Sequence, residues 1–210
     1  MRVLFHHELV DTFRAQLKHE NDSPIEIQSS KAIQGCSCHR PISAGVCHHL
    51  QQWPEWNSAR VIMGFMALGS EPDVLPALRQ AFARGAKIAF PIVDGDTIRV
   101  GAVASLSDEH FTVDSMGVKS PSAWTPMDAD QLDIVLVPGV AFDARGGRLG
   151  RGGGFYDRFL ARLHARTLTV GVSDARRIVE IVPMEAHDCR TKWLVSDAQR
   201  VAQSQPILPI

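Results

Sequence analysis

The sequence predicts an α/β fold, an open three-layer sheet that is largely parallel and has helices on both faces. Short apolar stretches typical of buried strands alternate with helical stretches of about ten to fifteen residues. Connections of that length are crossovers, which join parallel strands. A glycine-rich stretch, GGRLGRGGG at residues 146–154, follows a strongly apolar strand, and open sheets bind ligands beyond the carboxyl ends of their strands.

Length and composition favour one domain over residues 1–210. The chain is 45% hydrophobic and 21% charged, and 210 residues suffice for a sizeable core. The net charge of −1 gives no general reason to expect nucleic acid or an anionic membrane as a partner. No apolar run reaches the length needed to span a bilayer, and the N-terminus lacks a secretory pattern. We expect a cytoplasmic protein, monomeric, with a small-molecule substrate.

The first forty residues form an atypical N-terminal region with one amphipathic helix. Residues 9–18 place an apolar side chain at every fourth position, and the polar stretch 19–24 ends this helix. Residues 19–40 show no regular pattern, and their role is open. A second helix is predicted over residues 42–52.

The alternation of strands and helices begins at Ala59. Residues 59–67 predict a buried strand, and residues 73–85 predict a helix that ends at a glycine. Residues 86–93 and 98–105 predict two further strands.

The second half of the chain continues this alternation. Residues 133–143 form a strongly apolar strand that runs into a Pro-Gly turn. Residues 155–166 predict a helix directly after the glycines, and residues 168–174 predict a strand after it.

The cysteines suggest free thiols, because a chain of this size does not need disulfides. They are Cys36, Cys38, Cys47 and Cys189. The stretch CSCHRPISAGVCHH raises a zinc site as an alternative, but one residue between Cys36 and Cys38 is fewer than zinc sites prefer. The competing interpretation is a surface turn followed by a helix that carries His48 and His49.

The glycine-rich stretch has the composition of a phosphate-binding loop. Glycines let successive backbone N–H groups point into one concavity, and the following helix would add its positive dipole end. Arg148 and Arg151 offer guanidinium groups suited to phosphate oxygens. Asp157 lies one turn into the predicted helix, where a carboxylate beside phosphates usually holds Mg²⁺.

Two alternatives limit this interpretation. Glycine-rich turns also precede helices for packing alone, and an acid near a helix N-terminus is favourable without a metal. The dinucleotide pattern fails at Phe155, and the P-loop pattern fails because Gly153 and Gly154 follow Gly152. The residues alone therefore indicate a phosphate binder without defining its relatives.

Three stretches carry a resemblance to a known family. VPGVAFDARGGRLGRGGGFYDRFLARL closely resembles the signature of the 5-formyltetrahydrofolate cyclo-ligases, also called methenyltetrahydrofolate synthetases. GFMALGSEPDVLPALRQAFARGAKIAFP resembles the family's strand, acidic residue, helix and next strand, and IVEIVPMEAHD resembles its Pro-x-x-x-x-Asp segment. The similarity covers about Arg60 to Asp188 and implies a Rossmann-like cyclo-ligase fold.

The resemblance implies an ATP- and Mg²⁺-dependent ring closure. Enzymes of this family convert 5-formyltetrahydrofolate to 5,10-methenyltetrahydrofolate with release of ADP and phosphate. The formyl oxygen attacks the γ-phosphate, N10 then closes the ring, and phosphate leaves. Such chemistry needs mostly positioning and charge neutralisation from the protein.

The resemblance also implies roles for individual residues. Arg148 and Arg151 are implied as catalytic arginines, and Asp157 and Asp188 as Mg²⁺ ligands. The implied ATP contacts are Arg14, Arg148, Leu149, Gly150, Arg151, Gly152, Gly153, Gly154, Phe155 and Tyr156. The implied folate contacts are Met66, Glu71, Arg151, Gly152, Gly153, Gly154 and Phe155.

The chain departs from the family pattern at several positions. Val10 stands where the family has an ATP-facing lysine, Ser120 where it often has glutamate, and Arg177 where it often has glutamine. A non-catalytic or weakened relative that binds folate or nucleotide is therefore the alternative to an active cyclo-ligase. A kinase-like enzyme acting on another formylated or pterin substrate is a remoter one.

Overall fold

The computed structural model describes residues 39–113, 119–198 and 202–203. The predicted helix over residues 9–18, together with Val10, Arg14, Cys36 and Cys38, lies outside the described residues. Predictions that depend on them stay predictions.

The described chain forms four α-helices and thirteen short strands within those ranges. The helices are α1 (His39–Gln51), α2 (Pro54–Ser58), α3 (Leu75–Ala83) and α4 (Phe155–Leu160). The strands up to the middle of the chain are β1 (Val61–Met63), β2 (Lys87–Asp94), β3 (Thr97–Val103), β4 (Phe111–Val113), β5 (Lys119–Pro121) and β6 (Thr125–Met127). The later strands are β7 (Ile134–Val137), β8 (Ala141–Asp143), β9 (Arg148–Leu149), β10 (Leu168–Val172), β11 (Ile178–Val179), β12 (Trp193–Val195) and β13 (Ala202–Gln203).

The main sheet has eight strands in the order β13-β12-β10-β7-β1-β2-β3-β6. The five strands from β12 to β2 are parallel, and β13, β3 and β6 add antiparallel edges. The predicted open, largely parallel sheet is confirmed. Strand β1 lies near its centre because it pairs with both β2 and β7.

Side chains of the central strands alternate between two hydrophobic layers, as a two-sided sheet requires. On β1, Ile62 belongs to the layer under α1 and α3, whereas the next residue, Met63, belongs to the layer under α4. Both side chains are fully buried. Helices cover both faces, which confirms the three-layer prediction. No helix in the described ranges is long and apolar enough to cross a membrane.

Three predicted elements differ most from their sequence patterns, and two of them are strands. The strand expected over residues 59–67 is regular only at Val61–Met63, and the strand expected over residues 133–143 divides into β7 and β8. Pro138 and Gly139 separate the two strands. Strand β8 then pairs with β9 and β11 in a separate three-stranded sheet. The apolar pattern continued through both strands because both are buried, which hid the turn between them.

The helix expected over residues 155–166 ends at Leu160. Tertiary contacts override its helical pattern beyond that point. Arg162 donates to the carbonyl of Ile98 at 2.8 Å, and the hydroxyl of Thr167 donates to the carbonyl of Leu132 at 2.9 Å. These bonds turn the chain toward β10, which starts at Leu168.

Candidate active site

The glycine-rich loop lies beyond the carboxyl end of β7, in the centre of the main sheet. After β7 the chain forms β8, turns tightly, returns along β8 as β9 and then enters the glycines. This is the place that the strand order of an open sheet provides for ligands, and it agrees with the sequence prediction.

The loop needs glycine for two different reasons. Gly152 and Gly154 have φ angles of 99° and 62°, in the left-handed region that favours glycine. A Cβ on Gly153 would lie 2.7 Å from the ring of Phe155, and one on Gly150 would lie 2.7 Å from Nη1 of Arg148. Close packing within the loop therefore accounts for part of the glycine content.

Helix α4 is shorter than its sequence pattern predicted. It has six residues instead of the expected twelve, so its dipole is correspondingly small. Arg158 on this helix donates to the carbonyl of Asp96 at 2.6 Å and to the carbonyl of Gly153 at 3.0 Å. The tip of the β2–β3 hairpin is thereby tied to the loop.

Arg148 and Asp157 form an ion pair at the base of the loop. Nη2 of Arg148 lies 2.7 Å from Oδ2 of Asp157, and the two side chains are 4% and 12% exposed. Oδ1 of Asp157 accepts a bond of 3.2 Å from the amide of Cys189. The sequence suggested phosphate for the arginine and Mg²⁺ for the acid, whereas the structure joins the two side chains directly.

Tyr156 packs beside this ion pair. Its ring lies 5.7 Å from the guanidinium carbon of Arg148. Nε of Arg148 and the hydroxyl of Tyr156 are buried, and neither has a hydrogen-bond partner within the described part of the chain. Burial, assisted by the charge of Glu71, raises the pKa of the Tyr156 hydroxyl. The neighbouring Leu149 is buried as well, in the small sheet.

Glu71 and Arg151 bring a second segment to the loop. Oε1 of Glu71 lies 3.3 Å from Nη2 of Arg151, which also donates to the carbonyl of Leu68 at 3.1 Å. The amide of Leu68 donates to Oε2 of Glu71 at 2.9 Å. The acid is 10% exposed and the arginine 59%, and burial raises the pKa of the Glu71 carboxyl. Because Arg151 is exposed and can move away from Glu71, the carboxylate is suited to accept hydrogen bonds from a ligand instead.

Arg177 is a further cation near Glu71 that the sequence marked only as a departure from the family pattern. Its Nη2 donates to the hydroxyl of Ser70 at 2.5 Å, and its Nη1 donates to the carbonyl of Val140 at 3.3 Å. Burial lowers the pKa of the Arg177 guanidinium, and the charge of Glu71 opposes that effect. Met66, the expected apolar contact, is half-buried against the main core.

Asp188 lies in the segment that reaches the ion pair. Its Oδ2 accepts a bond of 2.7 Å from the amide of Glu185, and the next residue, Cys189, contacts Asp157. Burial and the charges of Asp157 and Asp188 raise the pKa of the Cys189 thiol. Among the described residues, no group of three or more His, Cys, Asp or Glu side chains could hold a metal ion. Asp157 and Asp188 are carboxylates, a ligand type that Mg²⁺ commonly combines with phosphates and water.

The described cysteines are free thiols, as predicted for Cys47 and Cys189. Burial raises the pKa of Cys47 to about 11, and its Sγ donates to the carbonyl of Asp73 at 3.5 Å. His48 and His49 lie on helix α1, as the alternative to a zinc site required.

The fold and this site define an open α/β protein with a glycine-rich loop, arginines and carboxylates at the carboxyl edge of its central strands. The sequence model of the 5-formyltetrahydrofolate cyclo-ligase family matches residues 13–196. The chain belongs to that family of enzymes.

Individual relatives agree with this assignment. The chain is 29% identical over 136 residues to the 5-formyltetrahydrofolate cyclo-ligase of Mycolicibacterium smegmatis, which covers 62% of this chain and 70% of the relative. It is 28% identical over 145 residues to the Escherichia coli enzyme of the same name, covering 66% and 79%. The solved structure of Aquifex aeolicus 5,10-methenyltetrahydrofolate synthetase is similar with a TM-score of 0.74 and 26% identity, covering 96% of each chain.

Proposed function

We propose that this protein catalyses the ATP- and Mg²⁺-dependent closure of 5-formyltetrahydrofolate to 5,10-methenyltetrahydrofolate, with release of ADP and phosphate. Membership of the cyclo-ligase family supports the reaction. The contact between Glu71 and Arg151 is the structural observation that carries the proposal, because it joins a buried acid to the loop from a segment 80 residues away.

Glu71 is the residue that we assign to the pterin. A carboxylate can accept two hydrogen bonds from a ring N–H and the adjacent amino group. Burial removes water from the Glu71 carboxylate and raises its pKa. A ligand that donates two hydrogen bonds would compensate for that lost solvation. Met66 and Phe155 supply apolar surface to the same ligand.

Arg151 and the amides from Gly150 to Gly154 are assigned to the ATP phosphates. The side chain of Arg151 is largely exposed, so it can leave Glu71 and meet an anion when the pterin takes its place. Arg148 is buried against Asp157 at the base of the loop. From there its positive charge would act on the phosphates.

Asp157 and Asp188 would hold Mg²⁺, which neutralises charge on the phosphate oxygens when bound. The protein then orients the formyl oxygen toward the γ-phosphate and keeps water out. Phosphoryl transfer to that oxygen releases ADP. N10 attacks the activated formyl carbon and loses its proton, and the carbon–oxygen bond breaks to release phosphate.

An absorbance assay for methenyltetrahydrofolate tests the reaction. We expect product from 5-formyltetrahydrofolate only when ATP and Mg²⁺ are both present. Binding of folate or nucleotide without product would support the non-catalytic alternative. ADP release with another formylated or pterin compound, and none with this one, would support the kinase-like alternative.

A matched pair of variants tests the site. Glu71→Gln should raise the KM for 5-formyltetrahydrofolate about 10- to 100-fold, since it removes charge-assisted hydrogen bonds. Glu55→Gln, which changes an exposed acid on helix α2, should leave it unchanged. Equal values for both variants would exclude Glu71 from the folate site. Arg14 as an ATP contact, a monomeric state and a cytoplasmic location stay predictions from the sequence.

A further inference from the structure

We propose that Asp143 is a positioning residue that sets the shape of the ATP loop and joins it to the segment that carries Asp188. This inference rests on the proposed function of the loop. Asp143 ends strand β8 and is fully buried, although it carries a carboxylate. A buried carboxylate is costly unless it is fully hydrogen-bonded, so its partners indicate what it is for.

The carboxylate accepts hydrogen bonds from both segments. Oδ1 accepts bonds of 2.8 Å from the amides of Arg145 and Gly147, in the turn before the loop. Oδ2 accepts a bond of 2.9 Å from the amide of Val182, which precedes Asp188 in the chain. Nη1 of Arg190, which follows Asp188 in the chain, lies 3.9 Å from Oδ1 of Asp143. One side chain therefore holds two stretches that the main sheet does not join.

The turn is closed tightly around this carboxylate. A Cβ on Gly147 would lie 2.4 Å from Oδ2 of Asp143, which leaves no room for any side chain. The amide of Asp143 donates to the carbonyl of Gly147 at 3.0 Å, and the amide of Gly146 returns a bond of 3.0 Å to the carbonyl of Asp143. Arg148 follows Gly147 directly, so the position of the arginine depends on the carboxylate.

The second segment is fastened to the same turn by its backbone. The amide of Thr191 donates to the carbonyl of Gly146 at 2.9 Å. Together with the Val182 bond, this contact brackets Asp188 between two points attached to the turn. Loss of the carboxylate would loosen Arg148 and Asp188 together, and both are assigned to the nucleotide and its metal. Glu71, which is assigned to folate, lies on another segment.

The test is a comparison of two Michaelis constants in Asp143→Asn. The asparagine NH₂ cannot accept a hydrogen bond, so at least one of the three amides loses its partner. We expect the KM for ATP to rise about 10-fold or more, as for an unsatisfied buried polar group, while the KM for 5-formyltetrahydrofolate changes less than about 2-fold. Gly147→Ala should give the same pattern, because its methyl group displaces the carboxylate without removing the charge.

Asp133→Asn is the matched control. Asp133 also accepts two backbone hydrogen bonds, of 2.8 Å and 2.9 Å from Arg60 and Val61, but it precedes β7 at the opposite edge of the sheet. Both bonds end on Oδ2, so an asparagine oxygen in that place keeps them. Asp133→Asn should therefore change neither the melting temperature by much nor the ratio of the two Michaelis constants. If Asp143→Asn alters both constants equally, or alters only stability, the positioning role is wrong.

Hydrogen exchange in the wild-type protein tests the proposal without a variant. The amides of Arg145, Gly147 and Val182 should gain protection together when a non-hydrolysable ATP analogue binds. Independent behaviour of Val182 would overturn the proposal even if the variants fail to fold. If the wild-type protein binds the analogue but forms no methenyltetrahydrofolate, the proposed function fails while Asp143 is still tested by this exchange pattern.

Discussion

The ion pair between Arg148 and Asp157 makes a strong prediction about stability. Asp157→Asn removes the negative charge and leaves a guanidinium group that is 4% exposed without its counter-ion. Removing one partner of a buried ion pair typically costs about 3–5 kcal/mol. Asparagine keeps one accepting oxygen, so we expect about 2–4 kcal/mol here. For a chain of this size, each kcal/mol lowers the Tm by about 2–4 °C, which gives about 4–16 °C.

Calorimetry without nucleotide measures this effect apart from any role of Asp157 toward Mg²⁺. The double variant Arg148→Met with Asp157→Asn should recover part of the lost stability, since it removes the buried cation as well. Asp94→Asn is the control, because Asp94 faces Arg99 at 3.4 Å with both side chains about half exposed or more. It should melt close to the wild type. A Tm for Asp157→Asn within about 2 °C of the wild type would refute the reasoning from the buried charge.

Three further predictions follow from the site and its surroundings. In the folded protein the pKa of the Glu71 carboxyl is raised. Its protonated form therefore contributes stability that is fully present below the pKa in the unfolded chain. That stability is lost as pH rises through the pKa in the folded protein. Glu71→Gln should therefore flatten this part of the Tm-against-pH curve and melt no lower than wild type at pH 7; a lower Tm would contradict it. Gly154→Ala should cost about 1–2 kcal/mol in chemical denaturation, because the φ of 62° is unfavourable for alanine. Cys47, with a pKa of about 11, should resist thiol reagents at pH 8 until the protein unfolds, as peptide mapping would reveal.

The sequence predicted the fold and the place of the loop because both depend on local pattern. The apolar run of residues 133–143 and the glycines after it require no knowledge of distant contacts. The end of helix α4 was not predictable in this way, because Arg162 and Thr167 bond to residues far away in the chain. Hydrophobic periodicity depends only on residues within a few helical turns of one another in the chain.

The residues of the candidate site could be predicted from the sequence, but the contacts between their side chains could not. Glu71 was assigned by resemblance alone, since nothing in its local sequence indicates Arg151 as a partner. The ion pair between Arg148 and Asp157 crosses a loop whose path depends on left-handed glycines. The sequence did not indicate a role for Asp143, because a single acid at the end of an apolar strand resembles any turn residue.

The position of strand β1 has a consequence for the order in which the protein is assembled during synthesis. Ile62 pairs with Ile88 on one side and with Ile134 on the other, so one edge of β1 can be closed long before the other. At about 5–20 residues per second, a ribosome needs roughly 4–14 s to extend the chain from Ile62 to Ile134. During that interval β1, β2 and β3 can associate, but the edge of β1 that awaits β7 stays unpaired. The loop is synthesised after β7, so its arginines follow β1, β2, β3, β6 and β7 of the main sheet in the chain, whereas Glu71 and Met66 are made before β2.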